Sequence, residues 1–279
     1  MPQPSSTVAS FGERAVAAGR ERGRLCVGID PHPHLLEAWG LTVDVDGLRT
    51  FTMTCVEAFA DTAAIVKPQV AFFERFGSRG FAVLEDALAA LREQGCLSLA
   101  DAKRGDIGST MAGYADAWLG ESSPLRADAV TVSPYLGVGA LNPVFDLAEA
   151  TGRGVFVLAA TSNPEAVALQ SLSVDGRSVA QRVVDELAER NTAAGAAVGA
   201  LGVVVGATLD TPPELDQLNG PVLLPGVGAQ GATPDDVRTL TAAALELGFA
   251  NVSRAILSHG PQVADLRESV ISTAAEFRD

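Results

Sequence analysis

Eight short apolar runs recur along the chain, separated by longer stretches in which apolar residues return at helical spacing. The runs cover residues 24–30, 63–69, 97–103, 129–133, 154–160, 201–207, 221–228 and 250–257. Most are continuous rather than alternating with polar positions, the pattern of parallel strands covered on both faces. Between them, residues 74–94, 178–198 and 234–247 are rich in Ala, Leu, Arg and Glu and predict helices. Residues 8–22 predict a short amphipathic helix covering one end of the fold, and residues 170–176 a loop before the helix that starts near Ser178. Eight strand–helix units in 279 residues predict a single (β/α)8 barrel domain over residues 1–279, with an N-terminal helical extension. An open doubly wound sheet is the competing arrangement, but no Gly-x-Gly-x-x-Gly turn follows the first strand.

A barrel places its functional residues at the C-terminal ends of its strands, and the polar residues of these runs gather there. The first run ends in Asp30-Pro31, the second in Lys67-Pro68-Gln69 and the third in Asp101-Ala102-Lys103. Thr161-Ser162-Asn163-Pro164 follows the fifth, the Gly-rich PGVGAQG of residues 225–231 ends the seventh, and the eighth carries Arg254.

Residues 97–110, LSLADAKRGDIGST, hold the densest chemistry. An apolar run delivers Asp101, Lys103 and Asp106, then ends in Gly108-Ser109-Thr110, a helix start. Strand alternation puts Asp101 and Lys103 on one face about 7 Å apart, and a short loop can bring the Asp106 carboxylate to the same ammonium. Two carboxylates hold a lysine protonated, which suits a proton donor and not a Schiff-base amine. The same spacing would also serve a surface ion-pair cluster. The basic residues favour the first reading: of 20, only Lys67 and Lys103 are lysines, both at strand ends. Arginine is a fixed planar fork, whereas lysine is a compact charge that can give up a proton. Two lysines at two strand ends point to chemistry that needs an ammonium.

The loops after strands seven and eight bind phosphate in many such barrels. The glycines of PGVGAQG, including Gly226 and Gly228, let backbone N–H groups approach an anion, Gln230 adds a side-chain donor, and Arg254 adds a charge-assisted clamp. The net charge of −14 argues against nucleic acid or an anionic membrane as partner. No run reaches membrane-spanning length and no signal-peptide core is present. His32 and His34 form a His-x-His pair without an evident third ligand, so no metal site is expected. Ser162 has no paired base for triad chemistry, which leaves it a hydrogen-bonding role. Cys26, Cys55 and Cys96 lack Cys-x-x-Cys spacing and read as buried free thiols in a reducing cytosol.

DAKRGDIGST, with GIDPHP upstream and PGVGAQG and SRAI downstream, resembles the orotidine 5′-phosphate decarboxylases, in their longer bacterial type. The resemblance spans nearly the whole chain. It implies decarboxylation of orotidine 5′-phosphate to UMP and CO2, the last step of de novo pyrimidine synthesis. It also implies a cytoplasmic homodimer with sites at the interface, and neither cofactor nor metal. Carried over by motif, Lys103 resembles the proton donor to C6, and Asp101 the residue beside the substrate carboxylate. Asp106 and Thr110 resemble residues that reach the partner's site, with Thr110 near the ribose. Lys67 and Asp30 resemble the ribose-side members of the charged network. Ser162 resembles the residue bonded to the pyrimidine amide, and Gln230 and Arg254 the phosphate ligands. Three alternatives stay open: a Mg2+-dependent sugar-phosphate decarboxylase or aldolase, a Schiff-base aldolase, and a non-catalytic phosphate-binding module.

Overall fold

The computed structural model describes residues 9–228 and 231–278. Eight strands close into a parallel barrel in which each pairs with its neighbours in sequence, and the last returns to the first. They are β1 (Leu25–Ile29), β2 (Ile65–Pro68), β3 (Leu97–Arg104), β4 (Ala129–Val132), β5 (Gly154–Ala160), β6 (Leu201–Val205), β7 (Val222–Pro225) and β8 (Gly248–Val252). Helices surround them, so the fold is the (β/α)8 barrel that the apolar runs predict.

Strand alternation sorts the apolar residues into two cores. Leu25, Val27, Ile29, Val66, Val130 and Val157 face outward and pack under the helices. Cys26, Ile65, Leu97, Leu99, Phe156, Leu223 and Phe249 fill the barrel interior. The thiols of Cys26, Cys55 and Cys96 are buried and free. Burial pushes those of Cys26 and Cys96 up to about 12, so they pack as small apolar groups.

The N-terminal helix, Phe11–Arg22, opens on a capping box between Ser10 and Glu13 and lies across the N-terminal mouth of the barrel. Phe11 is fully buried and meets Phe156 edge-on, with ring centroids 5.8 Å apart. Its ring occupies the space where any side chain at Gly154 would begin, 2.5 Å from that Cβ position. Arg14 ties the helix to Asp128 at 2.7 Å and to the Gly152 carbonyl at 2.9 Å.

Four elements differ from the sequence expectation. The helix expected over 74–94 is split into Ala71–Glu74 and Gly77–Glu93, with Gly77 at φ +61° making the break. The helix over 234–247 ends at Leu240 and resumes only as a 3-10 turn, Leu245–Leu247. Residues 170–176 are not a plain loop. A short helix ends at Gln170, and a two-stranded hairpin pairs Ser173–Val174 with Arg177–Ser178 around Asp175-Gly176, both at positive φ. The eighth strand covers 248–252 rather than 250–257, so Arg254 opens the helical turn Arg254–Leu257 beyond it. A short apolar run fits a strand or one buried helical turn equally well, and periodicity does not separate them.

Candidate active site

The inward positions near the C-terminal ends of β2, β3 and β4 are polar where those below them are apolar. Lys67, Asp101 and Thr131 stand there, continuing the inward rows of Ile65, of Leu97 and Leu99, and of Ala129. Asp101 is the hub. Its Oδ1 receives Lys103 Nζ at 2.5 Å and the Thr131 hydroxyl at 2.9 Å, and its Oδ2 receives Lys67 Nζ at 3.0 Å and Gln69 Nε2 at 2.9 Å. Asp30, just past β1, lies 3.9 Å from Lys67 Nζ. Its Oδ1 is buried and lacks a hydrogen-bond donor among the described residues.

Burial opposes a charge on Asp101, but the ammonium groups of Lys67 and Lys103 outweigh it and hold the carboxyl well below the usual carboxylate range. Burial likewise opposes a charge on Lys67, and Asp101 with Asp30 overcomes it, holding the ammonium above the ordinary lysine range. At neutral pH Asp101 is therefore a carboxylate bonded to a charged Lys67. The two lysines differ in access. Lys67 has 3% of its side chain exposed and is a fixed internal charge, whereas Lys103 keeps 44% exposed and faces the cavity.

That cavity has a volume of about 300 Å³. Asp30, Lys67, Gln69, Asp101 and Lys103 form one side, and Leu158, Val204 and Leu223 contribute apolar walls. Pro225, Gly226, Val227, Ser253 and Arg254 line the other side. Gly226 and Gly228 sit at φ +107° and +71°, conformations that favour glycine. The turn is fixed by Gly228 N–H donating to the Ala232 carbonyl at 3.0 Å. Arg254 is exposed at the mouth and has no carboxylate partner among the described residues. The cavity thus offers an ammonium at one side and a free guanidinium beside a glycine turn at the other, a fit for an anionic substrate with two charged ends. Gln230 lies outside the described residues.

Several expected residues fall elsewhere. Asp106 does not approach Lys103 of its own chain; its carboxylate accepts the Ile107 N–H at 2.7 Å, and the expectation of a second carboxylate on that ammonium is corrected accordingly. Lys103 takes a left-handed turn at φ +49°, and the next carbonyl, that of Arg104, is held by Ser133 N–H at 2.7 Å, so the chain leaves along the rim. Thr110 is exposed on the first turn of helix Gly108–Leu119. Ser162 lines an adjoining cleft of about 840 Å³, while its neighbour Thr161 lines both spaces. His32 and His34 stack on one another at 5.2 Å, with Phe72 against His32 at 4.3 Å. No cluster of three or more His, Cys, Asp or Glu side chains suited to a metal occurs among the described residues.

Sequence reasoning passed over Thr131 and Asn251 and named Gln69 at a strand end without giving it a role. Each is a polar residue at an inward register position, and the alternation that places Lys67 and Asp101 inward would have selected them. Asn251 stands on β8 beside Pro225 and lines the same cavity.

Residues 23–269 match the family described as orotidine 5′-phosphate decarboxylase / HUMPS. The orotidine 5′-phosphate decarboxylase of Corynebacterium efficiens is 63% identical over 271 residues, covering 96% of this chain and 97% of that protein. The one from Salinispora tropica is 56% identical over 271 residues, with 96% and 97% covered. A crystal structure from Streptomyces avermitilis, of a protein considered a candidate orotidine 5′-phosphate decarboxylase, superposes with a TM-score of 0.91 at 50% identity over 99% of this chain and 98% of that one. The Leishmania donovani OMP decarboxylase structure gives 0.75 at 28% identity, with 96% and 97% covered.

Proposed function

This chain belongs to the orotidine 5′-phosphate decarboxylase / HUMPS family and is a carboxy-lyase of pyrimidine biosynthesis, and from that premise we propose that Lys103 is the acid that completes its reaction. Orotidine 5′-phosphate binds with its phosphate at Arg254 and the turn carrying Gly226, Gly228 and Gln230. Its ribose lies near Asp30 and Lys67, and its C6 carboxylate beside Asp101. Ser162, in the cleft that adjoins the cavity at Thr161, serves the pyrimidine amide. The C6–carboxylate bond breaks, CO2 departs, and the electron pair stays on C6, where no ring position delocalises it. An ammonium already fixed at that carbon stabilises the charge as it forms, usually the largest catalytic contribution. Lys103 Nζ then delivers its proton to C6, giving UMP, and regains one from solvent through its exposed face.

The observation that carries this reading is the Lys67–Asp101–Lys103 array in the cavity wall, with Lys103 far more exposed than the other two. Asp101 is saturated by four donors and stays ionised, so it orients the ammonium and presses against the substrate carboxylate. Binding energy from the distant phosphate can hold the base in that unfavourable contact. The reaction needs no cofactor or metal, because Lys103 supplies the positive charge where the electrons accumulate. We further read residues 1–279 as one barrel domain working as a cytoplasmic homodimer, with Asp106 and Thr110 completing the partner's site. Their position on the rim, away from their own lysines, supports that sharing.

The test is the loss of orotidine 5′-phosphate absorbance with purified protein dialysed against EDTA. Full activity is expected for the native chain and none for Lys103→Ala, whose fold and UMP binding should persist. Activity of Lys103→Ala within tenfold of the native chain refutes the assignment. Recovery of lost activity only on adding Mg2+ moves the chain to a metal-dependent reaction.

A further inference from the structure

We infer that Thr131 is a positioning residue for the Lys103 ammonium, through a three-residue bulge that its hydroxyl holds at both ends. The register between β3 and β4 runs Leu99 opposite Ala129 and Ala100 opposite Val130, then jumps to Arg104 opposite Val132. Asp101, Ala102 and Lys103 therefore face a single residue of β4, Thr131. A bulge of this kind re-aims side chains and is common beside active sites. Its last residue is Lys103, a non-glycine at φ +49°, a strained conformation that persists only where the surroundings hold it.

The Thr131 side chain is positioned to do so. It is buried, and its hydroxyl has one hydrogen to donate and lone pairs to accept. It donates to Asp101 Oδ1 at 2.9 Å and accepts the Lys103 backbone N–H at 2.9 Å. One oxygen thus fixes the carboxylate that orients the ammonium and the main chain from which the ammonium hangs. Without it the Lys103 N–H loses its acceptor and Asp101 Oδ1 keeps only the lysine. The ammonium is then free to drift by an ångström or so while the phosphate contacts at Arg254 and the glycine turn, on the far side of the cavity, are untouched. A displacement of that size can cost about a hundredfold in rate.

The inference rests on Lys103 being the proton donor. The experiment compares Thr131→Val, which keeps the shape and loses the hydroxyl, with Thr131→Ser, which keeps the hydroxyl, and runs Lys103→Ala beside them. Expected for Thr131→Val is a fall in kcat of roughly 10- to 100-fold, with KM for orotidine 5′-phosphate and Tm nearly unchanged and faster hydrogen exchange at the Lys103 amide. Thr131→Ser should recover most of the rate and the protection. Thr131→Ala, which leaves space beside the Lys103 N–H, carries the comparison if Thr131→Val does not fold. Native kcat in the hydroxyl-free variant, or a serine variant as slow as the valine one, overturns the inference. If Lys103→Ala is itself active, the acid assignment has failed, while amide exchange still shows whether Thr131 holds the bulge.

Discussion

Arg254 carries its charge at the cavity mouth with no carboxylate to neutralise it among the described residues. Its whole electrostatic worth is thus available to a ligand anion. Arg254→Ala should cost ~3 kcal/mol of transition-state binding, the size of a charge-assisted clamp. The penalty should largely vanish for orotidine, which has no phosphate to hold; equal losses for nucleotide and nucleoside would disprove the phosphate role. The two lysines and Asp101 were readable because charged residues at the ends of apolar runs stand out. Thr131 was overlooked, since a β-branched residue inside VTV looks like any other strand residue until its inward register is applied. Asp106 was misread for a different reason. Sequence spacing sets how far a carboxylate can reach, but the left-handed turn at Lys103 decides which way it goes.

At the scale of elements, the strands behaved as continuous apolar runs predict, and β5 falls on residues 154–160 as expected. The departures lie where a local conformation overrides the pattern, as at Gly77 and at Ser253 before the helical turn Arg254–Leu257. The N-terminal helix shows what an element far from the chemistry contributes. Phe11 closes the end of the barrel opposite the cavity and packs against Phe156 and over Gly154. Phe11→Ala should destabilise the fold by about 3–5 kcal/mol, the usual cost of deleting a buried phenyl ring. Chemical denaturation would show a lower midpoint, while kcat/KM on the folded fraction stays native. A rate loss exceeding the loss of folded protein would tie this helix to catalysis.

For the whole molecule, the question is what the rim faces. Ile107, Tyr135 and Leu136 are 62, 78 and 54% exposed on the loops after β3 and β4, beside Asp106 and Thr110. Exposed apolar side chains grouped this way suit a second copy of the chain. If Asp106 completes that copy's site, Lys103→Ala and Asp106→Asn homodimers should both be nearly inactive. Random exchange between them makes about half the dimers mixed, each with one intact site, so roughly a quarter of native activity returns. An exchanged mixture as inactive as its parents, with exchange verified by mass, means Asp106 serves its own chain. The pairing of a sealed lysine with an open one has a further use. The chain has only these two side-chain amines, so an amine-directed reagent finds an outer surface without side-chain targets and a single accessible one inside the cavity. Acylation of side-chain amines on the folded protein therefore counts unoccupied active sites, and a nucleotide lying over Lys103 removes the signal.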